Sequence, residues 1–227
     1  MKEKQFLFLY PIDEYFDVEI ENGALGYSFK QTFPDKEIDF ARRIKEVKTE
    51  RKRQALRREA ISLMKNIFRP IYAGVLNKCI QQRYRDDDFK INFAVFDEHN
   101  SSDIVNLQKG DNVFNVGLDF YVHIGEKKYP DSNFILNNLG SNIGPLRVAG
   151  FHMWDCVEKV AKKAYERGID VLVDEDLTEF LAFRINHCSE FRTDCYPSYD
   201  PKNIKGCGGL EGFMEARRKK PWLIQTY

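Results

Sequence analysis

No apolar run in this sequence approaches the length of a membrane span, so no spanning helix is expected and no membrane partner. No CxxC pair occurs. The five cysteines, Cys79, Cys156, Cys188, Cys195 and Cys207, are odd in number. A chain of 227 residues can bury a sizeable core without disulfide staples. Reduced thiols in a cytoplasm-like compartment are therefore expected. Net charge is also missing: 35 Lys and Arg balance 35 Asp and Glu, so nothing global draws the chain to nucleic acid or a membrane surface. Between Lys4 and Pro11 only residues 6–10 are apolar, too short for a signal-peptide core. No internal repeat and no low-complexity linker divides the chain, and one domain over 1–227 is expected. What is present is an ordinary soluble balance, 43% hydrophobic and 31% charged.

The hydrophobic pattern alternates between two periods. Residues 5–12 read as a buried strand, an apolar run ended by polar residues. Residues 35–69 carry Phe40, Ile44, Val47, Leu56, Ala60, Leu63 and Ile67 at helical spacing, and Pro70 should end or kink that element. Residues 71–84 follow as a shorter helix. Strands are expected over 90–96, 118–124, 146–150 and 170–176. Helices are expected over 131–140, with Asp131 as N-cap, over 153–168, closed by Gly168, and from 177. The tail from 186 reads as irregular. Strands alternating with helices predict a doubly wound, three-layer α/β/α domain with a mainly parallel, Rossmann-like sheet.

Such sheets bind ligands at the carboxyl ends of their strands. That rule selects Asp13, then Asp97 and His99, then the turn from Gly150 to Cys156. Cys156 falls in the first turn of a helix entered directly from a strand. Unpaired N–H groups and the positive dipole end favour a thiolate there, and they can also stabilise an oxyanion during acyl transfer. Such a thiol needs a base and a charge-holding cation. The plain alternative is a small buried residue on a packing helix.

Residues 147–179, RVAGFHMWDCVEKVAKKAYERGIDVLVDEDLTE, resemble the nucleophile region of the isochorismatase-like cysteine hydrolases, the superfamily of nicotinamidases and N-carbamoylsarcosine amidases. Cys156 follows Gly150 by six residues, and Ala164, Tyr165 and Gly168 complete the pattern. Lys128, Ser132, Asn133 and Phe134 match a second motif. Ile12, Asp13 and Asp17 match a third. The resemblance implies an amidase-type hydrolase cleaving a C–N bond of a small amide or carbamoyl compound. It implies Cys156 as nucleophile, Asp13 as proton acceptor and Lys128 as the cation beside them. Backbone N–H groups near Asp155 and Cys156 would form the oxyanion hole, in a turn holding Phe151 and His152. Asp97, His99, Trp154 and Phe134 would line the substrate pocket. No cofactor is implied, and a homo-oligomer is.

Asp97 and His99 match two metal ligands of the nicotinamidase branch, but no further His occurs in 100–122, so no metal is expected. His187 and the tail cysteines match no zinc spacing. Residues 42–58 hold nine Lys or Arg against two Glu, a local charge of +7. A solvated face is expected there, or pairing with an acidic neighbour at 86–88 or 174–176; nucleic-acid binding is not. Trp154 reads equally as a substrate platform or a core residue. The rival reading is an inactive relative. Its pocket is filled by His152, Met153 and Trp154, and its basic helix binds a partner or polyanion.

Overall fold

Residues 5–9 are buried without alternation, which is how a strand reads when both its faces are covered. They form the core of β1, Glu3–Leu9. This structure is a computed structural model; it describes residues 2–15, 42–43, 45–99, 104–151, 153–174, 177–178 and 219–223. After β1 come α1 (Glu50–Ile80), a π-helical turn (Gln81–Arg85), β2 (Lys90–Val95), β3 (Asn112–Asn115), α2 (Phe120–Glu126) and α3 (Ser132–Asn138). Then follow β4 (Ile143–Gly150), a second π-helical turn (Met153–Val157), α4 (Glu158–Glu166), β5 (Val171–Val173) and a short 3-10 turn, Pro221–Leu223.

The five strands make one sheet in the order β3-β2-β1-β4-β5, and every pair is parallel. The expected α/β class with a parallel sheet is therefore observed. The order reverses direction between β1 and β4, which opens a crevice at their carboxyl ends. Inside the sheet a row of amides crosses three strands. Asn92 Nδ2 donates to Gln5 Oε1 at 3.2 Å, and Asn112 Nδ2 donates to Asn92 Oδ1 at 3.0 Å. Gln5 and Asn92 are fully buried, so this row satisfies side chains that would otherwise be costly inside the sheet.

Helix α4 ends as its sequence predicts. Gly168, at φ +73°, donates to Tyr165 O, and Ile169 N donates to Ala164 O. Those two bonds make a Schellman motif, in which glycine carries the left-handed residue. Of the apolar stripe expected along it, Val157, Val160, Ala161 and Ala164 are buried, while Tyr165 is half exposed.

Three expectations are corrected. Residues 118–124 are not a strand. Asp119 caps a helix by accepting from Val122 N at 3.0 Å, and Phe120–Glu126 is helical. The strand in that part of the chain is Asn112–Asn115, four residues with an Asn at each end. Pro70 ends nothing: α1 runs through it from Glu50 to Ile80, so the separate helix expected over 71–84 is the last part of α1 and most of the π-helical turn after it. Val47 precedes the helix, and its carbonyl accepts from Arg53 Nε. Phe40 and Ile44 lie outside the described residues, while Leu63 and Ile67 do pack on the core.

The cations of the basic segment pair close to home. Arg43 meets Glu59, and Arg53 and Arg57 meet Glu50. The acidic stretches go elsewhere: Asp87 to Lys4, and Asp174 to Arg83. No described helix is long and apolar enough to cross a membrane. Of the tail, residues 219–223 are described, with Trp222 and Leu223 buried. His187, Cys188, Cys195 and Cys207 lie outside the described residues.

Candidate functional site

Cys156 sits where the switch-point rule directs attention. Strand β4 ends at Gly150, whose φ is +137°, and the chain enters the π-helical turn that carries Cys156. Single π turns inside helices are frequent at functional sites. The thiol is 3% exposed. Both described cysteines, Cys79 and Cys156, are thiols rather than disulfide halves.

Its notable neighbour is a residue the sequence reading passed over. His123 Nε2 lies 3.7 Å from Cys156 Sγ, a hydrogen-bond distance for sulfur. His123 is on α2, in the stretch expected as strand. The opposite ring nitrogen, Nδ1, lies 2.5 Å from the carbonyl oxygen of Lys128. A carbonyl only accepts, so Nδ1 carries the proton and Nε2 presents its lone pair. The chain turns back to offer that carbonyl because Lys127 closes α2 in the left-handed conformation, φ 53°. The Tyr15 hydroxyl also meets Nε2, at 2.7 Å. The signal for His123 was available: Asp119 precedes FYVHIGE as a helix N-cap would, and His123 is the first residue beyond 100–122.

Tyr10 completes the cluster. It follows β1 directly and takes φ +61°, rare for a residue with a side chain. Its ring stacks on Phe96 at 4.4 Å and on Tyr15 at 5.6 Å. Burial above all, then the nearby Cys156 and Tyr15, pushes its pKa well above the ordinary value.

The residues named from the sequence are placed as follows. The Asp13 carboxylate pairs with Arg69, and its buried Oδ1 has no hydrogen-bond partner among the described residues. Lys128 Nζ pairs with Glu126 at 2.7 Å, and its side chain is 63% exposed. Neither side chain makes a hydrogen bond or ion pair to Cys156 among the described residues; Lys128 instead acts through its backbone. Phe151 is buried, stacked on Tyr15 at 5.2 Å. Asp97 Oδ1 accepts from Gly117 N at 2.8 Å, holding the turn before α2. His99 Nε2 pairs with Glu14 at 3.1 Å. Phe134 is exposed on α3. His152 and the side chain of Trp154 lie outside the described residues. No group of three metal-ligating side chains occurs among the described residues. No protein-family profile, curated protein or solved structure matches the chain.

Asp155 faces the outer side of the cluster. It pairs with Lys159, whose ammonium lies 3.0 Å from the centre of the Tyr129 ring. Tyr129 also hydrogen-bonds to Asp155; chiefly for that reason its phenol pKa is raised to about 12. The folded chain therefore holds this proton more tightly than the unfolded chain. The contribution is complete below the unfolded value of about 10 and is lost as pH rises through about 12. Difference absorbance of tyrosinate, wild type against Tyr129→Phe, should show ionisation near the raised value. Asp155→Ala should return it to the ordinary range, and a normal value in the wild type would show that the bond to Asp155 is not formed.

Proposed function

We propose that the chain is a cysteine hydrolase cleaving the C–N bond of a small amide or carbamoyl compound, built on a three-layer isochorismatase-like domain. The observation that carries the reading is the Cys156–His123 pair at the switch point of a parallel sheet. The Cys156 sulfur attacks the carbonyl carbon, and His123 Nε2 takes the thiol proton. Collapse of the tetrahedral adduct leaves a thioester on Cys156, while the imidazolium protonates the departing amine. Water, deprotonated by the same nitrogen, then releases the acid. The Lys128 carbonyl keeps the ring in the tautomer this needs. The three sequence motifs support the same class of chemistry but would give the proton to Asp13. The unsatisfied buried oxygen of Asp13 favours that variant of the mechanism.

One set of variants tests both. A limiting dose of a small alkylating reagent should label Cys156 before any other thiol, and Cys156→Ser should abolish hydrolysis across an amide library. His123→Gln should lower kcat/KM by about 100-fold or more, the usual worth of a general base, with Asp13→Asn much milder. The reverse order would move the base to Asp13. First labelling at Cys79, with no amide hydrolysed, would abandon the enzyme for a binding module.

A further inference from the structure

Two donors face one lone pair at His123. The Tyr15 hydroxyl stands 2.7 Å from Nε2, and the Cys156 sulfur 3.7 Å from the same atom. Nδ1–H is engaged by the Lys128 carbonyl, so Nε2 can only accept, and it accepts well from one donor at a time. A phenol O–H at that distance makes a full-strength bond. A thiol S–H is a weak donor. The geometry points to Tyr15 as a latch on the base: in the resting site its hydroxyl occupies Nε2, and Cys156 keeps its proton. This inference rests on the reading of Cys156 as nucleophile and His123 as base, and it says how that pair is regulated. Tyr15 is a positioning residue that acts through His123, and the three sequence motifs do not contain it.

Packing and backbone both place the hydroxyl. Tyr15 is fully buried. Its ring lies nearly parallel to Phe151 at 5.2 Å and to Tyr10 at 5.6 Å, and edge-on to Phe120 at 5.4 Å. The residues before it are tied on two sides. Glu14 pairs with His99 beyond β2 at 3.1 Å, and Asp13 pairs with Arg69 of α1. A ring held this way fixes its oxygen and leaves the hydroxyl torsion to turn. Turning the O–H away from Nε2 converts the oxygen from donor to acceptor, with no heavy atom moving. Once the thiol proton has passed from Sγ to Nε2, the new N–H donates to that oxygen at the same distance. Tyr15 keeps its own proton throughout.

The titratable groups around the pair come from every side. The Tyr10 ring, at the end of β1, lies 6.1 Å from the His123 ring, and the Tyr129 ring, in the loop after α2, lies 5.4 Å from it. Both phenols hold their protons more tightly than usual. Tyr72 of α1 approaches through Phe151, at 5.9 Å. Asp155, paired with Lys159, is on the same helical turn as Cys156. The Lys128 ammonium is turned to Glu126. Asp155 opposes ionisation of the thiol, in the same sense as the latch.

The experiment reads the thiol and the imidazole and needs no turnover. Thiolate absorbance is followed against pH in the full chain as the difference between wild type and Cys156→Ala, then between Tyr15→Phe and Tyr15→Phe/Cys156→Ala. Phenylalanine keeps the ring and its stacking and removes only the oxygen. The wild-type thiol should titrate no lower than the ordinary value of about 8.5. In Tyr15→Phe it should titrate about one unit lower, the worth of the hydrogen bond that no longer competes for Nε2. Nitrogen-15 spectra of His123 at neutral pH should show more imidazolium in Tyr15→Phe than in wild type, and the excess should vanish in Tyr15→Phe/Cys156→Ala. A purely structural tyrosine would not link the charge of His123 to Cys156. A thiol titration that stays put or rises in Tyr15→Phe would overturn the inference. So would a wild-type thiol titrating below the ordinary value, a result that stands even if Tyr15→Phe does not fold. Amide hydrolysis, measured separately on the wild type, decides the hydrolase reading. A lowered thiol titration in Tyr15→Phe with no hydrolysis by the wild type would leave the latch in place and remove only the enzyme.

Discussion

Replacing Gly150 with alanine should destabilise the chain by about 3 kcal/mol or more and dislodge Cys156 from His123. A Cβ there would stand 2.7 Å from Leu9 N and 2.8 Å from Leu9 Cβ, and closer still to the Leu9 carbonyl oxygen. None of these can give way cheaply. Leu9 belongs to the central strand and is paired on one side with Ala94 of β2 and on the other with Gly150 itself. Gly150 also has φ +137°, a region that side chains rarely enter. The control is Gly168→Ala. That glycine has φ +73° with nothing within 4 Å of the added carbon, so it should lose only the conformational term of about 1 kcal/mol. Urea midpoints of the two variants give the comparison. Equal losses would mean that the approach of Leu9 to Gly150 is looser than described.

The second large effect is expected at Asp174. This carboxylate is fully buried just beyond β5. It accepts from the Tyr84 hydroxyl at 2.6 Å and from Arg83 Nη1 at 3.2 Å, and the Arg83 side chain is itself only 8% exposed. Together they tie the π turn after α1 to the sheet edge, across about 90 residues of chain. Asp174→Ala should cost about 3–5 kcal/mol, because it removes a fully buried counter-charge from beside the Arg83 guanidinium together with an acceptor of the Tyr84 hydroxyl. Adding Arg83→Met to it should recover part of the loss, since removing the cation as well removes the cost of keeping it buried beside the missing carboxylate. Denaturant curves on the two single variants and the double variant complete the cycle. Simple additivity would show that the pair is not coupled.

Much of the fold was legible because its signals are local. A strand buried on both faces reads as an uninterrupted apolar run, and β1 does. Helix α4 carries its stripe and its closing glycine within one stretch. The entry from β4 into the helix that holds Cys156 is equally local, which is why the thiol could be named from its position. The strand expected over 118–124 failed on a close contest. LDFYVHI has the β-branched and aromatic residues of a strand, and one side-chain cap, Asp119 to Val122 N, coincides with helix instead.

Partners were a different matter. The sequence alone determined a parallel α/β chain, with a cysteine at the start of a helix and acids near strand ends. Periodicity and caps act over a few residues, and so they are written in the order of the residues. Which groups meet was decided only by the tertiary structure. Asp13 is held by Arg69, distant in sequence, and Lys128 by Glu126, two residues away. The thiol faces His123, brought across by α2. An ionic side chain takes the partner that folding brings nearest at the least desolvation, and no spacing along the chain encodes that distance.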